Sequence, residues 1–400
     1  MITGMNGTYG DSTHGMAYPR VLVCVLTLNS ASTVTHALRG VLSDGYPLDR
    51  VKVLVVDGGS TDGTVEVAED VLRGYGVEYE VMVTRDSIPE ARNRCIEVAV
   101  AGGFDYLLFV DSDVVPSLKG LVECLLKKGR ERYPSIIQVP YEQVFFNNTQ
   151  RLSEFSEGVL SSRVPVRCEE LGVRPSKYVG MGFTLIPVSV LLRLKFDPNL
   201  TFREDRLYSM YAWLNNVKVL KLIGNNQGTL AYDVNVVGLN DIYVNTSFAN
   251  HFKGLWRKVV ALAYTYYDGS TLKTLINFLR DRYGRRVTAY ALMNFSFVAE
   301  FTVALSTHSK TVLRVDELLT LLSFTGFALV CLALYRRVRS VGKALKAAFK
   351  FMLFSAAQAL LLPVALQRYG KAFREVLRKA SRLKPIVTPH QAKTQPRPST

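Results

Sequence analysis

The sequence predicts an α/β protein, a mostly parallel sheet covered by helices, followed by C-terminal membrane-associated helices. Three observations predict it. From Val21 onward, short apolar runs alternate with helical patterns. Several of these runs stop abruptly at a polar residue, namely Asn29, Asp57 and Asp111. The last third changes to long apolar stretches set among basic residues.

The elements follow in order. Val21 to Leu28 is a short run rich in Val and Leu, and residues 31–42 read as a helix. Val51 to Val56 is a second strand that ends at Asp57. Gly58, Gly59 and Gly63 form a turn into a helix from Thr64 to Tyr75. Tyr79 to Thr84 is a third strand. Pro89 to Ala101 is a helix with proline in its first turn, where the missing N–H costs nothing. Leu107 to Val110 is the fourth strand. Continuous apolar strands alternating with helices imply a parallel sheet covered on both faces. Ligands of such sheets lie beyond the carboxyl ends of the strands. Further on, Ile136 to Pro140, Val179 to Ile186 and Val217 to Leu222 read as strands. Thr201 to Asn215 reads as a helix.

The C-terminal third is different. Leu318 to Tyr335 carries no charge and is about as long as a bilayer-spanning helix, roughly 17–25 residues. Val287 to Leu305 and Phe351 to Leu366 are weaker candidates, interrupted by Asn294 and Glu300 and by Gln358 and Pro363. The charge of +15 is concentrated here: from Arg336 onward there are 15 Lys and Arg and a single acid, Glu375, against 34 basic and 33 acidic residues before it. Basic segments stay on the cytoplasmic side of a membrane. The first two apolar segments are therefore expected to form a hairpin, with the third lying in the interface among anionic headgroups. Binding to nucleic acid is not expected. The divisions expected are a disordered lead-in over 1–18, a catalytic domain over 19–250, interface helices over 251–310, transmembrane or interfacial helices over 311–368 and a basic tail over 369–400. The five cysteines are scattered, with no Cys-x-x-Cys pair, so neither a zinc site nor a disulfide framework is expected, and a reducing cytosolic setting is the simplest reading.

Tyr106 to Asp113 concentrates the chemistry. A buried strand ends, and Asp111 and Asp113 appear one residue apart. Alternate residues of an extended segment point the same way, so both can face one ligand. Their oxygens suit Mg²⁺ or Mn²⁺. A strand followed by an Asp-rich turn is the plainer reading. A glycine fingerprint for dinucleotides and a Gly-Lys-Ser/Thr phosphate loop are both absent from the sequence.

Four stretches then combine: Thr27-Leu28-Asn29, the run Val55 to Thr64, Ala91-Arg92-Asn93 and Asp111-Ser112-Asp113. Together with Val179-Gly180-Met181-Gly182-Phe183 and Arg203-Glu204-Asp205, their order resembles the family 2 glycosyltransferases over about residues 20–225. That resemblance implies a GT-A, Rossmann-like fold. It implies an inverting transfer of sugar from a UDP- or GDP-sugar, using Mg²⁺ or Mn²⁺. Asp57 would accept hydrogen bonds from the nucleotide base, with Thr27 and Asn29 in the same pocket. Asp113, and Asp111 directly or through the ribose, would hold the metal, with Ser112 between them in the donor site. Arg92 would sit near the phosphates or brace the loop. Gly180, Gly182 and Phe183 would line the place where sugar and acceptor meet. Asp205 would be the catalytic base and Glu204 an ion-pair partner. His251 resembles a histidine that follows the core in some relatives and is a candidate third metal ligand.

Plainer readings stand beside these. Asp62 is as well placed to cap a helix as to touch a ligand. Acids at residues 204–205 also suit a helix start. The Gln-x-x-Arg-Trp motif of processive synthases is absent, which disfavours polymer synthesis. The apolar C-terminal third points to a lipid-linked or polyprenyl-phosphate acceptor, membrane lipids as neighbours, and a catalytic domain on the cytoplasmic side. A nucleotidyltransferase of similar fold and a non-catalytic membrane-bound sugar-nucleotide-binding protein are the alternatives.

Overall fold

The protein is described from a computed structural model covering residues 18–146, 148–198, 204–224, 229–236, 271–280 and 340–381, with the separate positions 255, 259, 260, 262, 263, 267, 331, 332 and 335. His251, Arg203, the apolar stretch 287–305 and nearly all of 318–335 lie outside the described residues.

The central sheet has eight strands in the order β10-β12-β7-β11-β4-β1-β2-β3. Its first half is β1 (Val21–Thr27), β2 (Val51–Asp57), β3 (Glu78–Val83) and β4 (Tyr106–Asp111), all parallel. Its second half is β7 (Ser135–Gln138), β10 (Gly172–Pro175), β11 (Phe183–Pro187) and β12 (Lys218–Ile223). Here β11 runs antiparallel to both β4 and β7, and β10 runs antiparallel to β12, so the sheet is mixed but mostly parallel.

Strand periodicity divides the core. Leu22, Cys24, Leu54, Val56, Leu107 and Phe109 face one side, where α3 (Ile88–Ala101), α7 (Glu204–Leu214) and α9 (Val341–Ser381) cover them. Val23, Val25, Val53, Val55, Leu108 and Val110 face the other, under α1 (Val34–Leu42), α2 (Thr64–Tyr75) and α4 (Leu121–Glu131). Alternate side chains point to opposite faces. Both faces of β1, β2 and β4 are buried, so these strands read as nearly continuous apolar runs, whereas the edge strand β3 alternates Glu78 and Glu80 with apolar residues. The helices between them include α5 (Thr149–Ser161), α6 (Val188–Leu191) and, after α7, α8 (Thr271–Arg280).

A smaller sheet stands beside the end of β4. It joins β5 (Val114–Pro116), β13 (Ala231–Val236) and β8 (Glu142–Phe146) in the order β5-β13-β8. Val115, Leu152, Leu160 and Val234 form its own apolar cluster with α5. A short pair, β6 (Leu118–Lys119) with β9 (Val164–Pro165), completes the strands among the described residues.

Three expectations change. The strand expected over 179–186 begins only at Phe183. The stretch 351–366 belongs to the 41-residue helix α9. No helix among the described residues is long and apolar enough to cross a membrane. The later part of α9 buries Leu362, Ala365, Leu366, Phe373 and Val376 against the same core as Leu207, Met210 and Trp213 of α7. Lys379 Nζ also donates to the carbonyls of Trp213 and Leu214, at 3.2 and 3.3 Å, near the end of α7.

The third change concerns the cysteines. The structure forms two disulfides, Cys24–Cys95 and Cys124–Cys168, with Cα–Cα distances of 6.1 and 5.4 Å. Their partners lie 71 and 44 residues apart and meet only because α3 packs on β1 and α4 packs beside residues 168–170. Local spacing carries no trace of that pairing. No disulfide framework was expected from the sequence, and these two pairs correct that expectation.

Candidate functional site

The carboxyl ends of β1, β2 and β4 form one rim, in register from Thr27 opposite Asp57 to Leu26 opposite Asp111. Strand periodicity then splits the rim. Thr27 and Asp57 follow Val25 and Val55 toward α1 and α2, whereas Asp111 follows Phe109 toward α3 and α7.

Asp57 is 1% exposed and organises the loop after β2. One carboxylate oxygen accepts the backbone N–H of Gly59 at 2.9 Å and of Ser60 at 2.7 Å. The other accepts the hydroxyls of Thr27 at 2.7 Å and Ser60 at 2.5 Å. Burial alone would raise its pKa, but these bonds, led by those of Ser60, hold it below the ordinary carboxylate value. Asn29 adopts a left-handed φ of 52°, accessible to asparagine. Its side-chain oxygen accepts the Thr61 N–H at 3.0 Å, and its own N–H donates to Ser60 Oγ at 2.8 Å. Asp62 Oδ2 accepts the Ala31 N–H at 3.1 Å and Oδ1 accepts the Thr64 N–H at 3.2 Å, so Asp62 ties two loops at the start of α2. Ser112 Oγ donates to Ser30 Oγ at 2.9 Å and links this cradle to the acidic turn.

Arg92 reaches the site from α3. That helix is fixed at its start by a capping box in which Glu90 accepts from both the N–H and the hydroxyl of Ser87, at 2.8 and 2.6 Å. Asn93 then clamps the backbone of Phe196 with two bonds of 2.9 Å. Arg92 is 6% exposed, stacks over Phe196, pairs with Glu204 and lies 3.8 Å from Asp111. Burial disfavours its charge, but Glu204, Asp111 and Asp205 outweigh burial, so the guanidinium stays charged. Its contacts brace the site from behind. Glu204 is its ion-pair partner.

Asp111 closes β4, and Ser112-Asp113 is a turn rather than extended chain. The two carboxylates therefore approach through that turn and not through strand alternation. A third acid joins them: Asp233 on β13, whose backbone pairs opposite Val114. Asp233 accepts from Gln143 at 3.0 Å and from Asn235. Burial raises the pKa of all three acids. Asp111 and Asp233 add to the rise at Asp113, which reaches about 7, and Asp233 adds to that at Asp111 while Arg92 opposes it. Nothing in the sequence flagged Asp233, since β13 went unrecognised.

These oxygens suit a hard divalent cation. Among the described residues no three His, Cys, Asp or Glu are arranged to hold an ion on their own. Mg²⁺ sites commonly use one or two carboxylates and take the remaining ligands from substrate phosphates and water. Asp111 and Asp113 fit that pattern, and the charge crowding that raises their pKa values is what a cation would relieve.

Asp205, in the first turn of α7, is pushed up to about 6 by burial and then by Glu204, against the pull of Arg92 and Arg206. Gly180 and Gly182 bridge it to the acidic turn. A Cβ on Gly182 would lie 2.8 Å from the Tyr141 ring and 3.1 Å from Asp111 Oδ2. One on Gly180 would lie 2.9 Å from the Tyr141 hydroxyl and 3.7 Å from Asp205 Oδ2. The Asp111 N–H donates to the Gly182 carbonyl at 2.9 Å. Tyr141 thus stands between the acidic turn and Asp205. Burial raises its pKa, followed by the charges of Asp111, Asp233, Asp205 and Asp113, so its phenol stays protonated. Sequence reasoning missed Tyr141, whose only signal was its position just after Pro140 at the end of a strand.

The assembled site has a hydrogen-bonded cradle, an acidic turn and a half-buried carboxylate across a glycine-lined gap. Among curated proteins, 99 residues are 34% identical to the Haloferax volcanii glycosyltransferase AglE, covering 24% of this chain and 32% of that protein. A stretch of 200 residues is 25% identical to the Staphylococcus aureus poly(ribitol-phosphate) beta-N-acetylglucosaminyltransferase TarS, covering 48% of this chain and 32% of TarS. The chain spans about a third of the length of these relatives. Among solved structures, S. aureus TarS 1-349 in complex with UDP-GlcNAc gives a TM-score of 0.45 at 18% identity, covering 90% of both chains. The mannosyltransferase PcManGT from Pyrobaculum calidifontis in complex with GDP-Man and Mn²⁺ gives 0.44 at 16%, covering 87% of this chain and 88% of that one. Residues 22–182, which hold the cradle, Arg92, the acidic turn and Gly182, match the family model described as glycosyl transferase family 2.

Proposed function

We propose that the chain is an inverting glycosyltransferase of GT-A fold. It takes a sugar from a UDP- or GDP-sugar and delivers it to a lipid-linked or polyprenyl-phosphate acceptor at a membrane, with its catalytic domain on the cytoplasmic side. The observation that carries the reading is the placement of two acid groups across one gap. Asp111 and Asp113 lie on one side of Gly180, Gly182 and Tyr141, and Asp205 lies on the other. The family match over residues 22–182 supports it, as do the curated relatives named above, a glycosyltransferase and a poly(ribitol-phosphate) beta-N-acetylglucosaminyltransferase. The basic C-terminal segment supports the membrane and its cytoplasmic side.

The chemistry follows from the positions. Mg²⁺ or Mn²⁺ held by Asp113 and Asp111 would supply positive charge against the departing diphosphate. The cradle of Thr27, Asn29 and Asp57 presents a rigid wall of loop backbone to the nucleotide. An acceptor hydroxyl approaches the anomeric carbon from the face opposite the diphosphate. As its oxygen bonds to that carbon, the bond to the diphosphate breaks and the hydroxyl proton passes to Asp205. A carboxyl with a pKa of about 6 is ionised at neutral pH and ready to accept it. A phosphate acceptor brings no proton, and Asp205 then matters less.

The reading is tested by offering a panel of UDP- and GDP-sugars to the full chain with and without Mn²⁺ and measuring release of nucleoside diphosphate. Metal-dependent release from at least one donor is expected. No release and no donor binding across the panel would refute the reading.

A further inference from the structure

The far edge of the sheet carries a row of cations that the donor chemistry leaves unused. In the antiparallel pairing of β10 with β12, Arg174 stands directly opposite Lys221. In the parallel pairing of β12 with β7, Lys221 stands beside Gln138. Neighbours in register share a face, and like charges placed directly opposite destabilise a sheet. The chain nevertheless sets two cations there.

A third cation arrives from α7. The Arg206 guanidinium lies 3.9 Å from the centre of the Tyr178 ring, and Lys221 Nζ lies 5.3 Å from the same centre. Burial lowers the pKa of Lys221, and Arg174 and Arg206 lower it further, while Asp205 acts the other way. This cluster therefore adjoins the carboxylate assigned as base. Gln138 is 4% exposed, and its side-chain oxygen has no hydrogen-bond partner among the described residues. Its amide nitrogen lies 3.2 Å from the position of a Cβ on Gly180, so the row reaches the glycine-lined gap. Beside the Arg174 end of the row opens a cavity of about 330 Å³ lined by Tyr141, Glu142, Arg174, Ile223 and Thr229; Lys221 and Arg206 are not among its lining residues.

We propose that Arg174, Lys221 and Arg206 form an anion subsite that receives a phosphate group of the acceptor and sets the acceptor beside Asp205. The word acceptor rests on the glycosyltransferase reading; the binding of phosphate does not. Two cations forced together across a ladder gain stability when an oxyanion lies between them. The guanidinium fork of Arg174 suits two oxygens of a phosphate monoester or diester. The nucleotide diphosphate is placed by Asp111 and Asp113 on the other side of Tyr141, so one enzyme can hold two phosphorylated substrates without competition between them.

Titration calorimetry on the full chain, with UDP and Mn²⁺ present, tests this using phenyl phosphate, with phenol and benzoate as controls. Phenyl phosphate is expected to bind at least ten-fold more tightly than either control. In the double variant Lys221→Gln with Arg174→Gln, affinity for phenyl phosphate should fall at least ten-fold relative to affinity for UDP. A thermal melt in phosphate-free buffer should show Lys221→Gln at or above the wild-type Tm, because a repulsion has been removed. Equal binding of phenol, equal binding of benzoate, or undiminished binding of phenyl phosphate by the double variant would overturn the proposal. Decyl phosphate in micelles and glycerol 3-phosphate in solution distinguish a lipid headgroup from a free phosphate ester. If no UDP- or GDP-sugar binds, the transferase reading fails, and the phenyl phosphate comparison repeated without UDP still decides the subsite.

Discussion

Asp57 and Asp205 are one residue type in two opposite electrostatic settings. Asp57 has all of its acceptor positions filled by protein donors, which lowers its pKa and freezes the loop. An amide at that position cannot accept all four bonds. Asp57→Asn should therefore cost about 2–4 kcal/mol of stability, read from denaturant unfolding. Asp205 has its pKa raised to about 6 by burial and by Glu204. A base must be deprotonated to act, so transfer to a hydroxyl acceptor should rise with pH through about 6 and then level off. Asp205→Asn should lower that transfer by roughly 10²–10⁴-fold while donor binding persists. A rate that is flat between pH 5 and 8 would remove Asp205 from the role. The strand-end acids were legible in the sequence because each follows an unbroken apolar run. Tyr141 and Asp233 were not, since their importance comes only from what the fold places beside them.

At the scale of elements, the first half of the sheet was readable almost to the residue. Three of its strands, β1, β2 and β4, are buried on both faces, and β2 and β4 end at Asp57 and Asp111. The second half was less so, because β11 and β10 reverse direction and the small sheet assembles from three distant segments. The helix α3 illustrates a motif whose purpose is structural. Its Arg92 holds Glu204, which is only 12% exposed, inside the site. Arg92→Gln leaves that carboxylate buried without its charge partner and should destabilise the protein by about 3–5 kcal/mol. The helix α9 looked apolar enough for the interface, yet part of its apolar face is buried in the core shared with α7 and the central sheet. Phe373→Ala, which empties a fully buried position against Tyr267, should cost about 3–5 kcal/mol, measured as a fall in Tm.

For the whole molecule, acids crowded at one rim make stability depend on pH. Asp113 and Asp205 have folded-state pKa values of about 7 and about 6, above the ordinary carboxylate value. The folded state therefore holds those protons more tightly than the unfolded chain does. Stability from this source is fully present at low pH and is lost as pH rises from about 4 to about 7. Melting curves without metal should show Tm falling across that window, and Mn²⁺ with UDP should recover more of it at pH 8 than at pH 5. A Tm that rises with pH through the window would show that the acids are not crowded in solution.

Asp111-Ser112-Asp113 is proposed as the metal and diphosphate end of a sugar-transfer site. Calorimetry with UDP- and GDP-sugars, with and without Mn²⁺, on the wild type and on Asp113→Ala, tests it most directly. One donor should bind the wild type tightly only with Mn²⁺, and Asp113→Ala should remove the metal dependence along with most of the affinity. Donor binding that is indifferent to Mn²⁺, or a variant that binds as the wild type does, would contradict it.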